Sequence, residues 1–458
     1  MPDFALGNDV RIFFLHLGFK LSLAPTIIGH CTSLSSYVFI FSMIRRMVTP
    51  EINAIATLLI LASPFIAAIS QYLSTRQMEQ DMTKPRARDI GIPFDGTPGP
   101  LNAITDIPGV EVGYTTLIEG DGPLEVGKGP IRTGVTAILP RGKRRDPGPT
   151  WAGHFNLNGN GEMTGTHWIN EAGYFLGPIC LTNTHSVGMV HHAATRWMIE
   201  TYSSHFKDDH GWAMPVVAET YDGPANDICG RHITEAHALA ALKCASSGPV
   251  AEGNVGGGTG MMTYEFKGGT GTASRQVAFG GDSFMVAALV QSNFGSRHSL
   301  MVRGVPVGKE WPEDAPFSAM DAQEQGSIIV IIGTDIPLLP NQLKRLAKRG
   351  ALGIARTGSP GGHYSGDIML AFSTGNDIGL PRMMADDHPL FNSMQCLGDH
   401  YIEAVYEAAV DAVEEAILNA LVAAESMSLI KPSGLAWKAM DHTRLKEILD
   451  AYNRRCRC

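Results

Sequence analysis

Five aliphatic residues in a row, Ile328-Ile-Val-Ile-Ile332, follow directly on a polar loop that ends in Gly326-Ser327. A run this apolar and this rich in β-branched side chains reads as a buried strand, closed by Gly333. The loop ahead of it, Lys309–Gln325, carries Glu310, Glu313, Asp314, Asp321 and Glu324 with two prolines, and reads as solvent-exposed. The chain thus passes without a spacer from water into a core sheet, with a Gly-Ser step at the boundary.

Thr136–Leu139, Val216–Ala218 and Phe284–Gln291 read as further strands. His185–Thr201 and Asp227–Ala245 read as helices. Pro340 opens another over Asn341–Arg349, whose Lys344, Arg345, Lys348 and Arg349 complement a helix C-terminus. Tyr401–Ala424 reads as a long amphipathic helix with Val405, Ala409, Val413 and Ile417 on one side. Gly is abundant, 51 of 458 residues against an ordinary share of about 7%. That abundance fits a layered α/β protein with many tight turns and close backbone approaches. From residue 82 to the end the pattern describes one domain of mixed strands and helices.

Residues 1–81 differ from the rest. Leu21–Ile44 and Ile52–Tyr72 contain no charged side chain, and Arg45-Arg46 lies between them. Each run approaches the roughly 20 residues that span a bilayer. Three readings stay open: a membrane anchor through residues 21–72, an extension outside the working protein with translation starting at Met82, or a targeting segment. The expected location is cytoplasmic, or membrane-associated if residues 1–81 are retained.

Several functions are disfavoured at this level. A net charge of −9 lacks the basic footprint of a nucleic-acid binder, and Arg141, Lys143, Arg144 and Arg145 read as a solvated loop. The seven Cys are scattered, odd in number and without a C-x-x-C pair, so neither a disulfide framework nor a zinc knuckle is expected. His185, His191 and His192 fall on one predicted helix without the i, i+4 spacing of a metal pair. Gly256-Gly-Gly-Thr-Gly260 lacks the Lys-Ser/Thr of a phosphate loop and reads instead as backbone lining a cleft. No cofactor and no metal are expected.

Gly326-Ser327 suits self-cleavage. Gly at 326 is expected to reach backbone conformations closed to other residues, so that its carbonyl is strained toward the Ser327 hydroxyl. Attack would turn the amide into an ester, and water would release Ser327 with a free α-amine. Such an amine has a reference pKa of about 7.7–8.0 and can act as base for its own hydroxyl.

Longer stretches carry a resemblance. They are Ala87-Arg-Asp-Ile-Gly-Ile-Pro-Phe94, Asn102-Ala-Ile-Thr-Asp-Ile-Pro-Gly-Val-Glu-Val-Gly-Tyr114, Gly159-Asn-Gly-Glu-Met-Thr-Gly165 and Glu219-Thr-Tyr-Asp-Gly223. Gly253-Asn-Val-Gly-Gly-Gly-Thr-Gly-Met261, Asn293-Phe-Gly295, Gly326-Ser-Ile-Ile-Val330 and Ser365-Gly-Asp-Ile-Met-Leu-Ala-Phe-Ser-Thr374 follow in order. In these the chain resembles the L-aminopeptidase/D-amino-acid esterase-amidase (DmpA-type) family, which includes the β-peptidyl aminopeptidases. The resemblance implies a four-layer α/β/β/α sandwich, akin to that of ornithine acetyltransferases and superficially to N-terminal nucleophile hydrolases. It implies a precursor cut between Gly326 and Ser327 into two subunits that stay together, and a homo-oligomer, commonly a tetramer of that unit. Its substrates would be small peptides, amino-acid amides or esters, which lose their N-terminal residue.

Residue by residue, the resemblance makes Ser327 the nucleophile, Asn293 the side-chain donor to the oxyanion and Tyr221 a second group at the reacting centre. Glu219 would receive the substrate ammonium. Ser365 and Asp367 would form a polar relay, with Asp367 where some relatives carry Glu, and the base stays open between that pair and the Ser327 amine. Two alternatives accompany this reading. An acyltransferase of the ornithine acetyltransferase type would use Thr where this chain has Ser327; an inactive membrane-anchored relative would not need Ser327, Asn293, Tyr221 and Glu219 together.

Overall fold

The computed structural model describes residues 84–145, 147–317, 326–379 and 390–454, all within the unit Asp81–Cys458. The two uncharged N-terminal runs, most of the acidic loop's end, and Cys31, Cys456 and Cys458 lie outside the described residues. Among the described residues no helix is long and apolar enough to cross a membrane.

The strands of the two main sheets and of one hairpin are β1 (Glu111–Glu119), β2 (Ile131–Leu139), β3 (Thr150–Asn156), β4 (Tyr174–Phe175), β5 (Ile179–Asn183), β6 (Val216–Thr220), β7 (Met262–Thr263) and β8 (Phe266–Lys267). β9 (Gly269–Phe279), β10 (Asp282–Asn293), β11 (Ser327–Thr334) and β12 (Gly366–Ser373) follow. One sheet has the order β1-β2-β5-β6, a second the order β4-β3-β12-β11-β10-β9, and β7-β8 is a separate hairpin. Alternation along the strands shows how the sheets stack. Ile329 and Ile331 of β11 join Leu289, Ile368 and Leu370 in one buried cluster with Ile138, Leu181 and Ala218 of the smaller sheet. Their neighbours Ile328, Val330 and Ile332 join a second cluster that faces helices. Period-2 geometry sends successive side chains to opposite faces, so β11 is covered on both, as its unbroken apolar run demands.

The helices that cover the two sheets include α1 (Val187–Thr201), α2 (Glu235–Cys244), α3 (Pro340–Ala347), α4 (Arg349–Arg356) and α5 (Ile402–Val422). Val190, Ala193, Trp197, Ala241 and Leu242 of α1 and α2 pack on Ala137, Cys180 and Val217 on the outer face of the smaller sheet. Leu343, Ile354, Val413 and Ile417 of α3, α4 and α5 pack on the outer face of the larger one. The four layers α/β/β/α follow, as expected.

Three helix expectations need correction. Asp227–Ala245 is not one helix: Asp227 Oδ1 accepts from Gly230 N at 3.0 Å, a short 3-10 turn ends at Arg231 with φ 52°, and α2 begins only at Glu235. The helix after Pro340 stops at Ala347, and Arg349 opens α4, so it does not serve the end of α3; its guanidinium lies 3.9 Å from the Tyr406 ring centroid. His185 sits in a 3-10 turn before α1, apart from His191 and His192.

Helix α5 is also more than amphipathic, because Glu414, Glu415 and Asn419 are buried with its apolar face. Glu415 meets Arg275 at 2.7 Å with both side chains essentially inaccessible, meets Arg88 at 2.7 Å, and accepts from Asn102 Nδ2 at 2.6 Å. Burial opposes its ionisation, but the Arg88 hydrogen bond and the Arg275 and Arg88 charges outweigh that and hold its carboxyl below the usual range. Glu415→Ala strands buried Arg275 and should cost about 3–5 kcal/mol in urea unfolding. A depressed folded pKa contributes stability that is present above the unfolded value of about 4.3 and is lost as pH falls through the folded value. The difference between wild type and Glu415→Ala should therefore shrink at acid pH.

Candidate active site

Ser327 is the first residue of β11, and pairing places two others beside it. Asn293, the last residue of β10, is its antiparallel partner, and Gly366, the first residue of β12, its parallel one. By alternation Ser327 shares the face of Ile329 and Ile331, between the two sheets. Its hydroxyl donates to the Gly326 carbonyl at 2.7 Å. The Gly366 N–H donates both to Ser327 Oγ and to the Gly326 oxygen, each at 3.3 Å.

Two glycines are required here by space. A Cβ on Gly366 would stand 2.3 Å from the Asn160 carbonyl oxygen and 3.1 Å from Ser327 Oγ. A Cβ on Gly326 would stand 2.5 Å from Phe294 Cα and 2.6 Å from the Asn293 carbonyl oxygen. Gly326 does not have a left-handed φ. The expectation of a backbone conformation reserved for glycine is therefore corrected: close approach of β10 excludes a side chain at 326.

Asn293 is held from two sides. Its Oδ1 accepts from Met262 N at 3.0 Å, and its Nδ2 donates to the Tyr221 carbonyl at 3.0 Å. An amide nitrogen has two hydrogens, so one remains after the Tyr221 bond. Tyr221 reaches Asn293 through its backbone; its ring is half-exposed, and no hydrogen bond joins its hydroxyl to Ser327 among the described residues.

Glu219, one residue before the end of β6, comes from the facing sheet. It is 4% exposed, and both carboxylate oxygens are engaged: Oε1 accepts from Glu162 N at 3.0 Å and Oε2 from the Thr184 hydroxyl. Burial pushes its carboxyl above the usual range, against the Thr184 and Glu162 hydrogen bonds. The link to Ser327 is the Gly159–Met163 loop. A Cβ on Gly161 would lie 3.2 Å from Glu219 Oε1 and 3.6 Å from Gly366 Cα.

Ser365 donates to Asp367 Oδ1 at 2.5 Å, and Asn158 Nδ2 donates to Oδ2 at 3.2 Å. Burial raises the Asp367 carboxyl, opposed by those two bonds and the Ile328 N–H. Asp367 alternates with Ile368 and so shares the helix-side face of Met369, not the face of Ser327. No hydrogen bond joins Ser365 or Asp367 to the Ser327 hydroxyl among the described residues.

Sequence reasoning assigned no roles to Gly366, Thr184, Asn158 and the Gly161–Glu162 backbone. Gly159–Gly165 stands out as a Gly-rich segment of the sequence, but main-chain donors leave no side-chain signal. Gly256–Gly258 forms a fully buried 3-10 turn, where a Cβ on Gly257 would meet Gln291 Oε1 at 2.0 Å. It is a packing element rather than the lining of an open cleft.

Comparison with known proteins bears on the family and the fold. The sequence model of Peptidase family S58 matches residues 102–433. Beta-peptidyl aminopeptidase BapA of Sphingosinicella microcystinivorans is 50% identical over 381 residues, covering 81% of this chain and 93% of that protein. The solved structure of the L-aminopeptidase D-Ala-esterase/amidase from Ochrobactrum anthropi, described as a variant of the Ntn hydrolase fold, superposes with a TM-score of 0.76 at 53% identity. It covers 81% of this chain and all of that one. A Burkholderia sp. beta-aminopeptidase gives a TM-score of 0.73 at 46% identity, with the same 81% and full coverage.

Proposed function

The chain belongs to peptidase family S58, a hydrolase family of aminopeptidases with an Ntn-type fold, and from that premise we propose that it is a self-processing serine aminopeptidase. The observation that carries the reading is the contact of the Ser327 hydroxyl with the Gly326 carbonyl at 2.7 Å, at the first residue of a buried strand. In the proposed cut, Ser327 Oγ bonds to the Gly326 carbonyl carbon and its proton passes to the departing Ser327 nitrogen as the C–N bond breaks. Water then hydrolyses the resulting ester, leaving a Gly326 carboxylate, a free Ser327 hydroxyl and a free Ser327 amine. The Gly366 N–H, which already hydrogen-bonds the Gly326 oxygen, supports the carbonyl as charge develops on it.

In turnover the Ser327 amine takes the proton of its own hydroxyl, and Oγ attacks the substrate carbonyl. The remaining Asn293 N–H donates to the oxyanion, a contribution on the scale of about 3–4 kcal/mol for such a donor. The protonated amine gives its proton to the leaving nitrogen, and the acyl ester on Ser327 is then hydrolysed. Asp367, in register with Ile328 and held by Ser365 and Asn158, supports the site from the opposite face of β12 and does not itself take the proton. Glu219 pairs with the substrate's own ammonium, which restricts cleavage to N-terminal residues. Small peptides, amides and esters with a free amine are the proposed substrates, and β-amino acids are among the residues to test first because relatives are named as beta-peptidyl aminopeptidase and beta-aminopeptidase. We propose further that the cut units assemble as a homo-oligomer.

The test is direct. Folded protein on a denaturing gel should show two fragments, the smaller one beginning Ser-Ile-Ile-Val on N-terminal sequencing. A folded sample that remains a single uncut chain at neutral pH would sink the self-cleavage step.

A further inference from the structure

The hairpin β7-β8 turns on two residues, Tyr264 and Glu265, with φ of 52° and 60°. A two-residue turn with both φ positive is ordinarily given to Asn or Gly, and here two bulky side chains are forced into it. Backbone strain of this kind persists only where the surroundings over-determine it. The surroundings do so: Tyr264 Oη is hydrogen-bonded to Thr357 Oγ1 at 2.8 Å, its ring fills the space a side chain on Gly295 would need, and its carbonyl accepts from Arg297 Nε at 2.9 Å.

Arg297 lies four positions after Asn293 and is 1% exposed, with its guanidinium 3.4 Å from the Phe266 ring centroid. Besides Tyr264, it donates to the carbonyls of Trp311 at 3.3 Å, Glu313 at 2.6 Å and Asp314 at 3.3 Å. Every one of these acceptors is main chain. Glu265, also buried, accepts from Arg297 N at 3.2 Å and from Phe317 N at 2.8 Å. Asp314, inside the gripped stretch, has a φ of 56°. The chain from Trp311 to Phe317 is thus held through its backbone, shortly upstream of the bond proposed to break. The other end of the approach is held where Gly326 packs on Phe294. The same hairpin donates Met262 N to Asn293 Oδ1, so one element ties the candidate oxyanion donor to the chain that enters the cut.

We propose that Glu265 and Arg297 are positioning residues for self-cleavage. They touch neither Gly326 nor Ser327; they fix the upstream chain so that the Gly326 carbonyl is presented to Ser327 Oγ. Anchoring both ends of a short connection removes conformations in which carbonyl and hydroxyl are apart, and a misplacement of about 1 Å can cost roughly 10²-fold in rate. The role ends with the cut, because afterwards the tail is no longer joined to Ser327. The inference rests on the self-cleavage reading.

Freshly translated full-length chain is followed on denaturing gels over time for wild type, Glu265→Gln and Arg297→Lys, with thermal unfolding of each. Gln loses one of two acceptor oxygens, and Lys keeps charge but loses the planar fork that spans several carbonyls. Both variants should cut about 10- to 100-fold more slowly than wild type, while turnover per cut molecule stays at the wild-type value. Cutting at the wild-type rate in both variants overturns the proposal. So does a fall in turnover per cut molecule that parallels the slower cut, since that marks a general structural role or a displaced Asn293. Should Glu265→Gln fail to fold, the milder Arg297→Lys decides by the same two rates. A wild-type chain that never cuts defeats the self-cleavage reading itself, and this proposal with it.

Discussion

Ser327→Ala should remain one uncut chain and should release no amino acid from peptides, amides or esters. Removal of a serine nucleophile lowers turnover on the order of 10⁶-fold in well-studied hydrolases, and here the same atom is asked to perform two reactions. The variant should nevertheless fold. Ser327 is the buried first residue of β11, and among the described residues its hydroxyl bonds to Gly326 O and Gly366 N. Losing a neutral bond of this kind costs about 0.5–1.5 kcal/mol, a small part of a domain's stability. Melting curves should therefore stay close to wild type while both activities vanish. Cut wild-type protein treated with a serine-acylating reagent should gain one label, on the fragment that begins at Ser327. A label elsewhere, or amino-acid release by Ser327→Ala, would show that the nucleophile lies at another residue.

Glu219→Gln is expected to lower kcat/KM for substrates with a free N-terminal amine by about 10²- to 10³-fold. That is the scale of about 3–5 kcal/mol for removing one partner of a buried ion pair, at about 1.4 kcal/mol per decade. Gln keeps the size and an acceptor for Glu162 N or Thr184, so the loss reports charge more than shape. The pH profile sharpens this test. Burial raises the Glu219 carboxyl in the free enzyme, so on acidification it neutralises at a higher pH than an ordinary glutamate. Wild-type kcat/KM should fall through that raised value, and Glu219→Gln should lack this limb. A second limb, from the Ser327 amine that must be unprotonated to act as base, should survive in the variant. Equal kcat/KM in wild type and Glu219→Gln would remove Glu219 from the amine site.

Much of this architecture was legible in the chain. The apolar run of β11 required cover on both faces because no polar position interrupts Ile328–Ile332, and helices do lie on one side and a second sheet on the other. The long helix α5 was legible from its period, but its charged residues were not. Glu414 and Glu415 are buried because Arg303, Arg356, Arg88 and Arg275 arrive from distant segments to neutralise them. Helix ends set by a single side chain, as at Asp227, were misplaced for a related reason. A local carboxylate that accepts a backbone N–H competes with the helix, and sequence periodicity does not register that competition.

For Ser327 itself, sequence alone determined what kind of residue stands at the boundary between a polar loop and a buried strand, and which segments resemble those of a known family. Tertiary structure decided the rest. It put Asn293 and Gly366 on either side of Ser327 through strand register, brought Glu219 across from the other sheet, and set the Ser365–Asp367 pair on the opposite face of β12. It also replaced a conformational reason for Gly326 with a steric one. The physical cause is common to all of these. Side-chain type and local period are properties of neighbours in sequence, whereas register, facing and close approach depend on hydrogen bonds and packing between residues far apart in the chain.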